Sequence, residues 1–414
     1  MSAFFLFIEI ASYLFAVYLF VTKKELAIIY IPVLIFSNII IDAVFSASIY
    51  YATISILILS CILKNGSFYR NNIYAVLSFI YILILLPRSS DLEFIRPSVF
   101  SVLWLFATIP LILSVYQKYP REVIFREVTN AGFIIICLFV VNVLISTKMG
   151  FSPNQMYGIT TGVLYGNLYG AGFNILGIAM FVSVLKFLDR KKPIYLLVII
   201  VALAFLVLSV RRSVILISGL GVAIAFITLL TQKEARKFIF LGSLVALVGY
   251  IIYSNTSLMG EFEERYELRK LDERELGEEK RFIEYELIYK DMFEYKDYSP
   301  LYGYELFNSS GHYGKGVFEF RTLHADLPSI AHSTGILGLL LYLLMVKTAF
   351  IRSFKASESI RDKLIIFFCA VAFITFTVTG RYTETGSMIL IYLILMLPFA
   401  KNNLEDDPPA LNNA

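Results

Sequence analysis

The chain consists largely of repeated apolar runs, most of them close to the length needed to cross a lipid bilayer as a helix. Hydrophobic residues make up 58% of the 414 residues and charged residues only 16%. Because a spanning helix needs roughly 20 mainly apolar residues, the sequence predicts an all-α, polytopic integral membrane protein with about 12–13 transmembrane helices. The predicted spans are 3–21, 26–46, 49–63, 73–86, 98–116, 128–146, 171–188, 194–210, 213–231, 238–253, 330–350, 364–379 and 386–400.

One long polar segment divides these spans into two groups. About ten transmembrane helices are predicted in 1–253 and about three in 327–400. The loop between them, 254–326, carries 17 acidic and 10 basic residues and too little aliphatic sequence for an independent core. The acidic, proline-bearing tail, 401–414, has the composition of a disordered segment.

One stretch of the long loop has helical periodicity. Between 282 and 293, the residues Phe282, Tyr285, Tyr289 and Met292 recur at helical spacing. This pattern predicts an amphipathic helix that lies on the membrane surface or across the mouth of the helix bundle. A solvated charged linker is the alternative.

Basic residues are shared unequally between alternate loops. One set of loops carries 18 Lys or Arg residues and the opposite set of short loops carries six. The positive-inside rule therefore predicts a cytoplasmic C-terminus, with the N-terminus and the long loop on the outer side. The six exceptions are Arg88, Arg96, Lys148, Arg211, Arg212 and Arg381.

Three of these arginines border apolar runs on the outer side. Arg211 and Arg212 lie between two predicted spans, and Arg381 follows another span. An arginine at such a position is costly unless it faces a partner or a polar cavity, and its fork geometry suits phosphate. The three residues therefore indicate an anion-binding cavity. Anchoring of helix ends by snorkelling is the alternative, and the sequence does not decide which of Arg211 and Arg212 faces inward. Arg88 and Arg96 are expected to belong to a solvated loop.

A histidine marks the border between the long loop and the next span. His324 and Ala325 are followed by nine residues and then by Gly335 and Gly338. A histidine at this border can bind or activate a polar substrate, and the glycines allow other backbones to approach closely. If 319–326 is helical, Arg321 and His324 share a face.

His332 lies eight residues beyond His324, about 12 Å along a helix. We expect it either to line the same cavity as His324 or to be a packed, hydrogen-bonded polar residue. Arg281, at the head of the amphipathic segment, adds a further cation to the loop.

These features resemble those of bacterial O-antigen polymerases of the Wzy type and, more distantly, of the O-antigen ligases that share their fold. Both families have a long external loop that ends in a histidine, a small or polar residue, nine residues and G-x-x-G, as 324–338 does here. Their loop often begins with an arginine ahead of an apolar stretch, matched by 281–283. It ends in a pattern like P-L-x-G-x-G, matched by 300–305 except that Glu305 replaces the second glycine.

Two further positions complete the resemblance or depart from it. The family places a serine-arginine pair after an upstream span, where this chain has Ser209 followed by Val210, Arg211 and Arg212. The asparagine usual after the motif histidine is Ala325 here.

The resemblance implies a metal-independent, inverting glycosyltransferase of the bacterial inner membrane, with a fold similar to lipid-sugar-dependent (GT-C-like) transferases and a periplasmic active site. Donor and acceptor would both be oligosaccharides linked to undecaprenyl pyrophosphate, and a chain-length regulator protein is a possible partner. His324 would act as general base or bind pyrophosphate, and Arg211 would stabilise the leaving group. The expected pyrophosphate- or sugar-binding residues are Arg212, Arg281, Arg321, Arg381, His332, Tyr302 and Gly303.

Other functions remain open at this stage. An O-antigen ligase, which transfers finished glycan to lipid A core, uses the same class of reaction. A transporter of lipid-linked sugars would show internal repeats and charges near the midplane, which this sequence lacks. A structural scaffold would leave the arginines and the histidine motif without purpose. No feature indicates nucleic-acid binding.

Overall fold

The protein is all-α in the part of the chain that the structure describes. The computed structural model describes residues 2–150, 173–209, 211–230, 280–380 and 382–401, together with positions 260, 263 and 267. These residues are 81% helical and form no β-strand. Their α-helices are α1 (Ser2–Tyr18), α2 (Ile31–Ile39), α3 (Ala47–Lys64), α4 (Ile73–Leu85), α5 (Leu92–Tyr116), α6 (Arg121–Lys148), α7 (Ile175–Arg190), α8 (Pro193–Leu208), α9 (Arg212–Leu230), α10 (Lys280–Tyr289), α11 (Asp326–Ala356), α12 (Ile360–Thr379) and α13 (Thr385–Leu395).

Every predicted span within the described residues contains one of these helices. Six stretches are long and apolar enough to cross a membrane, and four shorter apolar helices accompany them. The first stretch, Ala3–Ile39, comprises both α1 and α2. The chain turns back between the two helices, because Glu9 of α1 and Ser37 of α2 line one pocket. The predicted span 238–253 and the tail from 402 onward lie outside the described residues.

Two helices, α7 and α13, form the centre of the bundle. All residues of α13 and residues 175–187 of α7 are buried, as expected for helices that are apolar on every side. A stacked pair of rings, Phe181 and Phe368 with centroids 4.0 Å apart, joins α7 to α12. These central helices carry residues 174 and 384 to one end of the bundle, where the candidate site lies.

Ion pairs lie at the opposite end of the bundle. Many basic residues of the loops that are rich in Lys and Arg lie at the same end. Glu127 accepts hydrogen bonds from Lys23 and from the Tyr30 hydroxyl, at 2.9 and 2.5 Å. Arg121 pairs with Asp362 at the start of α12. Because the carboxylates are buried, these pairs fix the helix ends more firmly than exposed pairs would.

The predicted amphipathic helix in the long loop is present, but its register changes. Following α10, the chain continues as a π-helix, Lys290–Tyr295. The wider π turn places Phe293 on the exposed side of the helix, where it is 44% exposed, and turns Met292 toward the interior, where it is 3% exposed. Phe282, Tyr285 and Tyr289 share one exposed side of the helix, whereas Met292, which α-helical spacing groups with them, is buried.

A small second core lies beneath α10. Its buried residues come mainly from the loop, with Ala331 contributed by α11. The loop core therefore needs α11 to close it, in agreement with the expectation that the loop has no independent core. The buried members are Leu287, Ile288, Met292, Tyr298, Tyr313 and Ala331.

Candidate functional site

His324 lies in irregular backbone immediately before α11. Residues 321–324 have no regular secondary structure and α11 begins at Asp326, so the condition under which Arg321 and His324 would share a helix face is not met. The physical reason is Glu284 on α10: one of its oxygens, Oε2, accepts the backbone amides of both His324 and Ala325, at 2.9 and 3.0 Å. Aiming two successive amides at one oxygen requires non-helical backbone.

The His324 ring is held through one of its two nitrogens. Nδ1 lies 2.6 Å from the Thr322 carbonyl oxygen and 3.6 Å from Glu284 Oε1. Both neighbours accept hydrogen bonds, so the proton of the neutral ring resides on Nδ1. Nε2 has no hydrogen-bond partner among the described residues, and the side chain is 42% exposed. The ring therefore presents an unprotonated nitrogen at a surface that a substrate can reach.

Arg321 and His324 are brought together as predicted, although not through a shared helix face. Arg321 donates from Nη2 and Nε to Glu284 Oε1, at 3.0 and 3.3 Å. A carboxylate therefore lies between the guanidinium and the imidazole. Burial alone would raise the pKa of Glu284, but hydrogen bonds from His324, Ala325 and Arg321 outweigh burial and lower it from its ordinary value.

Glu284 was missed by the sequence analysis, yet a signal for it exists. It falls on the same side of α10 as the buried Leu287 and Ile288, where an apolar residue is expected. A fully buried carboxylate on the apolar face of an amphipathic helix requires a cationic or hydrogen-bonding partner elsewhere in the chain. That argument points to a long-range contact, although it does not identify His324.

The other acidic residue near His324 has a different role. Asp326, the first residue of α11, accepts the backbone amide of Tyr382 at 3.0 Å. The carboxylate beside Nδ1 of His324 is that of Glu284 and not that of the nearby Asp326. Asp326 ties the start of α11 to the connection between α12 and α13.

This α12–α13 connection also touches His324 directly. Gly380 ends α12 with φ +75°, and a Cβ added there would overlap the His324 carbonyl oxygen. Further along, the Glu384 carboxylate accepts two hydrogen bonds from Asn174 Nδ2, at 2.9 and 3.2 Å. Gly380 and Glu384 thus contact His324 and Asn174 respectively, and Asn174 lies beside a second candidate site that contains Arg211.

Arg211 belongs to this second site, at the start of α9. Its guanidinium lies over the Phe173 ring, 5.8 Å from the centroid, and the residue is half-buried. Two residues on, Ser213 donates to Asn174 Oδ1 at 3.2 Å. Arg212 is exposed. Of the adjacent pair, Arg211 is therefore the one directed into the protein.

The remaining predicted arginines are placed less specifically. Arg281 is half-buried in the first turn of α10. Arg381 lies outside the described residues.

A main-chain joint fixes the long loop to α11. The helix is kinked at Gly335, whose φ is +68°, and a Cβ there would overlap the Leu301 carbonyl. On the loop side, Gly303 has φ +70° and lies equally close to His332 O. The Ile336 amide donates to Pro300 O at 2.8 Å and the Tyr304 amide donates to His332 O at 2.7 Å. The expectation that Gly335 allows close backbone approach is confirmed, whereas Gly338 meets the side chains of Thr334 and Tyr81.

Arg88 and Ser90 of the α4–α5 connection strengthen this joint. Arg88 donates to the carbonyls of Tyr302, Gly303 and Tyr304, at 3.3 to 3.4 Å, and its guanidinium lies 5.8 Å from the Tyr302 ring centroid. Glu305 of the long loop, where the resembled pattern has glycine, accepts the Ser90 hydroxyl at 2.9 Å. Arg88 is exposed, as expected for a solvated loop, and in addition it binds the long loop. Tyr302 remains half exposed, whereas Gly303 acts through its backbone.

His332 is enclosed within the joint. It is fully buried, and its Nε2 lies 3.1 Å from the His312 carbonyl oxygen. The rings of Tyr298, Tyr304 and Tyr313 surround it at centroid distances of 5.1, 5.6 and 6.5 Å. This burial contradicts the expectation that His332 lines an open cavity with His324. It supports the alternative of a packed, hydrogen-bonded polar residue.

A small, mainly apolar pocket lies next to the joint, between α4, α5 and α11. Tyrosines 81, 342 and 382 contribute to its wall, together with Phe106, Phe307 and Thr334. Since Tyr382 also contacts Asp326, this pocket adjoins the segment that carries His324.

Comparison with known proteins adds no assignment. No protein-family model matches the chain, and no curated protein matches it either.

Proposed function

We propose that this chain is a glycosyltransferase that polymerises a bacterial surface polysaccharide such as O-antigen at the outer face of the inner membrane. The donor would be a growing glycan on undecaprenyl pyrophosphate and the acceptor one repeat unit on the same carrier. The observation that carries the proposal is the His324 ring, whose Nδ1 is engaged and whose Nε2 is left to accept a proton beside an apolar bundle. The chain's resemblance to Wzy-type polymerases supplies the substrate class.

The proposed step is a single displacement. An acceptor hydroxyl transfers its proton to His324 Nε2 while its oxygen attacks the anomeric carbon from the side opposite the pyrophosphate. A glycosidic C–O bond forms, the C–O bond to pyrophosphate breaks, and the electron pair leaves with undecaprenyl pyrophosphate. The anomeric configuration inverts, and the imidazolium later releases its proton to water. General-base help of this kind contributes about 10²–10⁴-fold.

Arginine side chains would stabilise the negative charge that develops on the leaving pyrophosphate. Arg211 is the favoured candidate because it is half-buried at the second site, which the 380–384 connection links to His324. Arg321 commits Nε and Nη2 to Glu284, so only its remaining nitrogen is available to a substrate. We therefore expect Arg211 to contribute more than Arg321.

The test is glycan ladder formation in cells that lack their own copy of the chain and receive variants of it. Wild type should restore the ladder, and His324→Ala and Arg211→Ala should leave core with one repeat. Arg212→Ala, a change of the exposed neighbour, is the matched control and should retain the ladder. Membrane levels of each variant are measured in parallel.

Three results would redirect the proposal. Full ladders from both His324→Ala and Arg211→Ala would reject the site. Restored attachment of finished glycan to core, without any effect on chain length, would indicate a ligase. Activity in His324→Gln, which keeps a hydrogen-bonding group but takes up no proton, would indicate that His324 binds phosphate and is not the base.

A further inference from the structure

The buried carboxylate of Glu284 contacts both candidate functional groups of the loop, the His324 ring and the Arg321 guanidinium. We propose that Glu284 is a positioning residue of the transferase: it orients His324 as proton acceptor and holds Arg321 beside it. This inference rests on the proposed function, since Glu284 acts through His324. Its side chain is 0% exposed, so it contacts neither substrate nor solvent.

The first oxygen of Glu284 sets the backbone. Oε2 accepts the amides of His324 and Ala325, at 2.9 and 3.0 Å. These two bonds fix the chain immediately before α11 and so determine the direction in which the His324 side chain leaves it. Gly380 packs against the His324 carbonyl, which confines the same peptide from a second direction.

The second oxygen faces side chains. Oε1 accepts a hydrogen bond from Arg321 Nη2 at 3.0 Å and lies 3.6 Å from His324 Nδ1. With the Thr322 carbonyl at 2.6 Å, the ring nitrogen faces two acceptors. A bare Nδ1 would point its lone pair at other lone pairs, so this arrangement selects the ring form that carries its proton on Nδ1.

The arrangement goes beyond what an anchor for the loop requires. Two backbone amides would satisfy one carboxylate oxygen, whereas the second oxygen is shared between a guanidinium and an imidazole. Two tyrosines complete its surroundings: Tyr285 from α10 and Tyr313 from the loop both interact electrostatically with Glu284. Arg321 balances the carboxylate, which makes burial of the charge tolerable.

Glu284→Gln separates the two roles. A glutamine has nearly the same shape, and its single carbonyl oxygen can keep the two backbone amides. Its NH₂ group then faces Arg321 and His324 Nδ1, both of which are donors. The backbone anchor is retained while the side-chain orientation is lost. Glu286→Gln is the matched control, because Glu286 lies two residues away on the exposed face of α10 and pairs with Lys290.

The assay uses the full-length protein in membranes and lipid-linked repeat units accumulated by cells that lack it. We expect Glu284→Gln to lower the polymerisation rate at least about tenfold, and at most by the roughly 10²–10⁴-fold that general-base help contributes. The loss should fall on kcat with KM little changed, because Glu284 is fully buried and acts only through His324. Glu286→Gln should match wild type in both kcat and KM.

A double variant tests whether Glu284 acts through His324. In a His324→Ala background, adding Glu284→Gln should cause little further loss, since residues that act as a unit are not additive. Additive losses would indicate a merely structural role, and a loss confined to KM would indicate a role in substrate binding; either result would overturn the inference. If Glu284→Gln does not accumulate, Glu284→Asp is measured instead; an unchanged kcat in that variant would equally overturn it.

Failure of this inference is distinguishable from failure of the proposed function. An inactive His324→Ala together with a fully active Glu284→Gln rejects only the role of Glu284. A fully active His324→Ala rejects the proposed site itself.

Discussion

The backbone carbonyl of His324 lies against the α-carbon of Gly380, with no room between them for a methyl group. Gly380 ends α12 in the left-handed region, at φ +75°, and the connection that follows it is pressed onto the peptide of His324. Two elements far apart in sequence therefore define the position of one ring. The site depends on this contact as much as on the loop itself.

We expect Gly380→Ala to be severely destabilising. The left-handed conformation and the overlap with His324 O together cost about 2–5 kcal/mol. Thermal unfolding in detergent and ladder formation measure the effect. Gly219→Ala in α9 is the control, because a Cβ there meets nothing within 4 Å and helix propensity favours alanine. Equal midpoints for the two variants would contradict the contact.

The joint between loop and α11 predicts unequal effects for its two motif glycines. At Gly335 an added Cβ meets the backbone of Leu301, which cannot move without breaking the joint, and φ is +68°. At Gly338 an added Cβ meets Thr334 Oγ1 and Cβ; a change of rotamer moves only the hydroxyl, but φ there is not left-handed. We expect Gly335→Ala to cost more than Gly338→Ala, because it adds backbone strain of about 1–3 kcal/mol to the steric overlap that both variants have. Hydrogen exchange of the Tyr304 and Ile336 amides measures the loss; similar protection in both variants would contradict the prediction.

The π-helix that follows α10 predicts opposite behaviour for two adjacent residues. Met292 is buried in the loop core, so Met292→Ser should destabilise the loop by about 2–4 kcal/mol. Phe293 is exposed, so Phe293→Ser should change stability by less than about 0.5 kcal/mol. Limited proteolysis of the loop compares them. A larger effect of Phe293→Ser would mean that the helix continues in α register.

Acid should weaken the docking of the loop through Glu284. Its pKa is lowered in the folded protein, so the folded state binds this proton more weakly than the unfolded state. The stabilisation is fully present above the ordinary pKa of 4.5 and is lost as the pH falls through the lower folded-state value. Unfolding midpoints from about pH 7 down to about pH 3 should show wild type losing its advantage over Glu284→Gln. A constant difference across this range would contradict the shift.

The helices were predictable because apolar length is a local property of the sequence. The runs that became α3, α8 and α9 needed no knowledge of their neighbours. The proximity of Arg321 and His324 was also anticipated, although the two residues do not share a helix face. Their actual link is a carboxylate some 40 residues away, and no local pattern specifies such a contact.

The features that local sequence does not determine have a common physical source. α-Helical spacing groups Met292 with Phe282, Tyr285 and Tyr289, and a single π turn changes that phase. The sequence left open whether His332 lines a cavity or is packed, and the three tyrosines that enclose it come from the loop. Burial of a polar residue by a distant segment depends on how that segment docks, which the sequence near His332 does not contain.

The joint between 300–303 and 332–336 is made chiefly from peptide groups and two left-handed glycines. Peptide groups are the same whatever side chain they carry. The half-exposed position 302 and the exposed side of α10 can therefore take new side chains while the loop stays attached to the bundle. Under the proposed function, substitutions at these positions can change the sugar specificity while the backbone contacts that hold the loop on the bundle stay the same.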